Sequence, residues 1–139
     1  MKKATILVLG FILVGCAGSP YALSKMSLSE LKSCSDGQII SALSCLTRDD
    51  SPNVFEESVR RGLFSESEVL LIAGRKLELG MSEIVLIASW GWPIDSNRTV
   101  NSSGVYMQLV YNRAPVSCTK YSQPKYVYLE NGVVTSWQE

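Results

Sequence analysis

Apolar residues recur at helical spacing between residues 27 and 91, and polar residues mark where the helices start. Ser27 with Glu30, and Ser65 with Glu68, match the capping box, in which each side chain satisfies a backbone N–H of the other residue. The pattern predicts helices that begin at Leu28, after Asp36 and Gly37, after Ser51 and Pro52, after Ser65 and after Ser82; the last three end at Gly62, Gly80 and Gly91, with Pro93 just beyond.

The apolar positions within the last two helices predict which side faces the core. In the first of them Val69, Ile72 and Ala73 lie on one face, with Lys76 on the next turn, and in the second Ile84, Val85, Ile87 and Ala88 form the buried side.

After Asp95 the apolar spacing changes from helical to alternating, which predicts strands. A strand start is expected at residues 98–100 and a full strand at residues 105–112, followed by a polar insertion at residues 113–124. Asn131 and Gly132 predict a two-residue type I′ turn between the last two strands. In the strand at 105–112, Met107, Leu109 and Tyr111 share one face, and Tyr106, Gln108 and Val110 the other. Helices first and an antiparallel sheet last indicate an α+β fold of two layers.

The first fifteen residues have the pattern of a secretory signal peptide. Residues 4–15 are uncharged after Lys2 and Lys3, and this run is too short for the roughly 20 residues that a membrane-spanning helix needs. We therefore expect residues 1–15 to be removed and residues 16–26, which have no clear period, to form a tether.

The sequence LVGC at residues 13–16 resembles the lipobox of bacterial lipoproteins. The resemblance implies that Cys16 becomes the lipid-bearing first residue, that the acyl groups include palmitate, and that the protein is anchored in a membrane. Ala17 after it implies sorting to the outer membrane, on the periplasmic face.

The three other cysteines predict a disulfide, because an exported chain enters an oxidising compartment. Spacing favours Cys34 with Cys45, provided that the chain turns at Asp36 and Gly37, and Cys118 is the competing partner. Sequence alone leaves the connectivity open.

Charge and composition remove several classes of function. Without Lys2 and Lys3 the net charge is about −2, and no cluster of Lys and Arg indicates nucleic-acid binding. The chain has no His, which excludes catalysis of the Ser-His or Cys-His type and leaves the scattered cysteines a poor zinc site. We expect no cofactor, no metal and no enzyme activity.

The second half of the chain resembles the BamE family of small outer-membrane lipoproteins, also called SmpA/OmlA. The residues that carry this resemblance are Gly80, Met81 and Ser82, then Trp90, Gly91, Trp92 and Pro93, then Gln108 and Tyr111, then residues 126–136 around Asn131 and Gly132. The resemblance implies two helices on a three-stranded antiparallel sheet at residues 64–139, similar to half of a β-lactamase-inhibitor protein. Residues 27–63 would then be an N-terminal helical extension.

The resemblance implies a non-catalytic accessory protein or scaffold, with a protein partner in outer-membrane β-barrel assembly or envelope integrity. The alternative is a periplasmic binding or inhibitor module that acts on a soluble enzyme or a cell-wall component. Tyr106, Tyr111, Tyr126 and Tyr128 could form a stacking surface for a peptide or glycan, or could be packing residues with solvated hydroxyl groups.

Overall fold

A computed structural model of the chain describes Cys16, residues 18–113 and residues 120–138. In this part of the chain six helices precede four strands, which confirms the predicted α+β class. They are α1 (Pro20–Ser24), α2 (Leu28–Leu31), α3 (Asp36–Leu43), α4 (Pro52–Arg60), α5 (Glu66–Gly74), α6 (Glu83–Trp90), β1 (Asp95–Asn101), β2 (Gly104–Arg113), β3 (Lys120–Glu130) and β4 (Val133–Gln138). The predicted signal segment, residues 1–15, lies outside the described residues.

Capping boxes start three of the helices. The two predicted boxes form, at Ser27 and at Ser65. A third joins Ser35 to Gln38, whose Oε1 accepts from the Ser35 backbone N–H at 2.8 Å. The expected break at Asp36 and Gly37 is therefore wrong, because these residues form the first turn of α3.

Helix α5 ends six residues before the expected stop at Gly80, so Lys76 is not part of it. Arg75 takes a left-handed conformation with φ 54° and ends the helix. Its guanidinium donates to the carbonyl oxygens of Ser89, at 2.8 Å, and of Leu46. These long-range hydrogen bonds join the ends of α3, α5 and α6.

Helix α6 is buried on most of its surface, as expected for Val85, Ile87 and Ala88. Ile84 was expected to be buried as well, but it is 42% exposed because it lies in the first turn and faces away from the core.

Among the described residues, no helix is long and apolar enough to cross a bilayer.

The four strands form one antiparallel sheet in the order β1-β2-β3-β4. Asn131 and Gly132 both have positive φ, 51° and 82°, which confirms the predicted turn between β3 and β4. Arg113 pairs with Lys120, so the strands extend into the expected polar insertion. Residues 114–119 of that insertion, which include Cys118, lie outside the described residues.

The core is a single cluster of buried residues that runs from Leu23 in α1 to Val134 in β4. Helix α6 packs on the sheet, where Trp90 meets Tyr111 edge-on with ring centroids 5.6 Å apart. Helix α3 contacts α6, and α1 contacts α3 and α4. The helices of the expected N-terminal extension thus share one core with residues 64–138. Residues 20–24, expected to be tether, form α1 instead.

Candidate functional site

The sheet has one face covered by helices and one face open. Leu109, Val127 and Leu129 point to the helices and are almost fully buried. Alternation along each strand and the cross-strand pairing place the other set on the opposite side. We call this set the open face; its members are Asp95, Asn97, Thr99, Tyr106, Gln108, Val110, Tyr126, Tyr128, Glu130, Ser136 and Gln138, with the two carboxylates at the ends of β1 and β3. None of them is fully buried.

A row of hydrogen-bonded side chains crosses the open face. Asn97 Nδ2 donates to Gln108 Oε1 at 3.0 Å, and Gln108 Nε2 donates to the Tyr128 hydroxyl oxygen at 3.2 Å. The pairing register places these three residues side by side on β1, β2 and β3. The row is therefore positioned by the sheet backbone.

The centre of the open face is uncharged. A shallow depression of about 190 Å³ there is lined by Asn97, Thr99, Tyr106, Met107, Gln108, Tyr128, Leu129 and Thr135. Amides donate and accept hydrogen bonds without ionising, and tyrosine rings add apolar contact area at low entropic cost. The arrangement suits recognition of a polar and aromatic surface.

Tyr111 does not belong to this surface, although it was grouped with the other three tyrosines. It lies on the covered face and is 2% exposed. Burial, with a smaller effect of the nearby Glu83 carboxylate, raises the pKa of its hydroxyl above the usual range. Tyr111 is thus a packing residue, as the alternation along β2 had indicated.

Cys16 forms a disulfide with Cys34, with the two Cα atoms 4.8 Å apart. The expected pair of Cys34 with Cys45 is wrong. Helix α3 lies between these residues, and its 8 residues at about 1.5 Å each exceed the Cα distance that a disulfide allows. Cys45 is a free, half-buried thiol, and Cys118 lies outside the described residues.

Cys16 also contacts the folded domain through its backbone and by packing. Its backbone carbonyl oxygen accepts from Gln38 Nε2 at 3.1 Å, and the residue packs against the core cluster. Lipidation of Cys16 stays a prediction. A thioether to lipid and a disulfide to Cys34 are alternative states, because one sulfur cannot form both bonds.

The residues that carry the BamE resemblance hold structural positions. Gly80, with φ 82°, donates its N–H to the Val134 carbonyl at 2.8 Å, and the Met81 carbonyl accepts from Val134 N–H at 2.8 Å. Gly91, with φ 85°, ends α6, and Pro93 lies in the link to β1. These residues, with the turn at Asn131 and Gly132, connect the two ends of α6 to β4 and β1.

A cleft of about 320 Å³ lies between α4 and α5. Its lining includes two arginines and two glutamates: Arg48, Pro52, Phe55, Glu56, Val59, Arg60, Glu66 and Val69. Within the part of the chain that the structure describes, no group of three or more Cys, Asp or Glu residues could hold a metal ion.

No protein-family model matches the chain, and neither a curated protein nor a solved structure does. The resemblance to the BamE family stays a prediction. The sheet has four strands, one more than that resemblance implied.

Proposed function

We propose that the chain is a non-catalytic lipoprotein, anchored by Cys16 to the periplasmic face of the outer membrane, that binds a protein partner with the open face of its sheet. The observation that carries this proposal is the uncharged row of Asn97, Gln108 and Tyr128 among half-buried tyrosines. Protein interfaces are enriched in tyrosine and depleted of charge at their centres.

The resemblance to BamE supports outer-membrane β-barrel assembly or envelope integrity as the process. A lipid anchor confines both proteins to one membrane surface, which raises their effective concentration and lets a weak interface suffice. The lipobox supports the anchor.

The anchor is tested by labelling growing cells with a palmitate analogue and fractionating their membranes. The wild-type chain should carry label and sediment with the outer membrane, whereas Cys16→Ser should lose the label and become soluble. Cys45→Ser is the matched control, since it removes a free thiol without touching Cys16 or Cys34. Label that persists in Cys16→Ser would contradict the anchor.

The partner surface is tested by photocrosslinking in cells, with p-benzoylphenylalanine in place of Tyr106 on the open face. This position should yield a discrete crosslinked protein band in the membrane fraction. Placed at the exposed Leu70 of α5, the same probe should yield none. Crosslinking at Leu70 alone would move the partner surface from the sheet to the helices.

The second candidate is an unanchored periplasmic binding or inhibitor module, and the disulfide of Cys16 favours it. In that form no thiol at residue 16 is left for lipid. Crosslinks from Tyr106 that recover only soluble periplasmic proteins, together with an unlabelled Cys16, would favour this candidate over the first.

A further inference from the structure

We infer that the lipid at Cys16 holds the outer surface of α1, around Tyr21 and Lys25, against the lipid headgroups, so that the open face of the sheet points away from the membrane. This inference rests on the proposed lipid anchor. It adds an orientation and a membrane-contact surface that the anchor alone does not require.

The stretch of chain between the lipid-bearing Cys16 and the first helix of the folded domain is short. Only residues 17–19 separate Cys16 from the start of α1, a span of about 14 Å from Cys16 to Pro20 at full extension. Helix α1 is held in place by Leu23, which is 1% exposed. The bond from Gln38 to Cys16 uses the backbone carbonyl, so it remains available when the Cys16 sulfur carries lipid. The domain therefore lies close to the bilayer.

The surface next to this attachment point carries an exposed aromatic side chain beside a basic one. Tyr21 is 73% exposed, the highest value among the large apolar side chains of the described residues outside the core. The Lys25 ammonium lies 5.5 Å from the centre of the Tyr21 ring. Tyrosine rings and lysine side chains both place an apolar part toward the acyl chains and a polar end among the headgroups. Headgroups are thus the occupant that fits this exposed pair.

The packing order of the helices places the open face on the opposite side of the molecule. Helix α1 contacts α3, α3 contacts α6, and α6 packs on the covered face of the sheet. Helix α1 thus packs on the side of the helices, and the open face is the side of the sheet that the helices do not cover. With α1 on the membrane, the open face is directed to the aqueous side, where a partner can reach it.

The orientation is tested by photocrosslinking of the acylated full chain in phosphatidylcholine and phosphatidylglycerol vesicles. The probe p-benzoylphenylalanine replaces Tyr21, Leu70 or Tyr106, one at a time, and mass spectrometry counts phospholipid adducts. We expect phospholipid adducts from the probe at residue 21 and none from the probe at residue 106. Leu70, exposed on α5, is the control position and should give fewer adducts than residue 21. Circular dichroism of each variant establishes that it folds.

The same mass spectra report acylation of Cys16, which separates failure of the anchor from failure of the orientation. Molecules without acyl groups would overturn the proposed anchor and the orientation with it. Acylated molecules that give equal adducts at residues 21 and 106 would overturn the orientation alone, as would adducts confined to residue 106. A crosslink from residue 21 to another copy of the chain would also overturn it.

Discussion

Glu57 is a fully buried carboxylate held between two arginines of its own helix end. Its oxygens accept from Arg60 Nη2 at 2.6 Å and from Arg61 Nε at 2.6 Å. Arg61 also donates to the carbonyl oxygens of Leu31 and Cys34 at 2.7 and 2.8 Å. The ion pair therefore joins α4 to the α2–α3 connection, next to the Cys16–Cys34 disulfide.

We expect Glu57→Gln to destabilise the domain by about 2 kcal/mol, because it weakens the charge-assisted hydrogen bonds at a buried position. The cost stays moderate because Arg60 is half exposed and Arg61 keeps its ion pair with Asp36. For a domain of this size the melting temperature should fall by roughly 8 °C. Thermal unfolding by circular dichroism measures it, with Glu56→Gln on the exposed side of α4 as the control. Equal melting temperatures for Glu57→Gln and the control would contradict the role of the pair.

The stabilisation by Glu57 should depend on pH with a definite sign. Hydrogen bonds from Arg60, and then from Arg61, lower the pKa of Glu57 from 4.5 to about 2 in the folded state. As the pH is lowered, the unfolded state therefore takes up a proton at Glu57 before the folded state does. The stabilisation is complete above about pH 5 and is lost as the pH falls from 4.5 to 2. The difference between wild type and Glu57→Gln should shrink over that interval. A difference that stays constant down to pH 2 would contradict the lowered pKa.

The two states of Cys16 predict different numbers of free thiols. In molecules with a lipid thioether at Cys16, Cys34 should be a free thiol, whereas in molecules without lipid it should be in the disulfide. Alkylation under denaturing, non-reducing conditions, followed by intact mass spectrometry, should therefore add one more label to the acylated form. Equal labelling of the two forms would show that Cys34 has another partner.

At the scale of elements, we expect replacement of glycine by alanine to change stability in opposite directions at two positions. Gly132 sits in the β3–β4 turn at φ 82° with free space around it, so Gly132→Ala should cost about 1 kcal/mol through backbone strain alone. Gly37 lies in the first turn of α3, where a Cβ would meet only the Ser35 hydroxyl at 4.0 Å. There Gly37→Ala should stabilise by about 0.5 to 1 kcal/mol. Paired melting curves measure both, and shifts of the same sign would contradict the turn assignment.

At the scale of the whole molecule, we expect a substitution on the open face to weaken partner binding more than it lowers the stability of the fold. We expect Gln108→Ala to remove both hydrogen bonds of the row and to reduce recovery of the partner from detergent-solubilised membranes. Its melting temperature should change by only a few degrees, because the row lies on the solvent side of the sheet. Leu70→Ala, on α5, should leave recovery unchanged. Loss of stability that parallels the loss of partner would instead make Gln108 a structural residue.

The parts of the fold that depend on neighbours in sequence were predictable. The boxes at Ser27 and Ser65 and the turn at Asn131 and Gly132 each form within four residues, and all three are confirmed. The Ser35 and Gln38 box has the same spacing and could have been found. The alternation along β2 likewise separated Gln108 from Tyr111, although nothing in the sequence indicated that Gln108 would meet Asn97 and Tyr128.

The sequence by itself determined the local elements, the order of helices before sheet, and the lipobox pattern at Cys16, because each depends on residue types at short, fixed spacing. Tertiary structure decided the pairing of Cys16 with Cys34, the end of α5 at Arg75 and the seating of α1 on α3. These contacts join residues 13 to 29 positions apart or separate helices. They form only once the core cluster brings the helices together, since the entropy lost in closing such loops is offset by burial of apolar surface in the core.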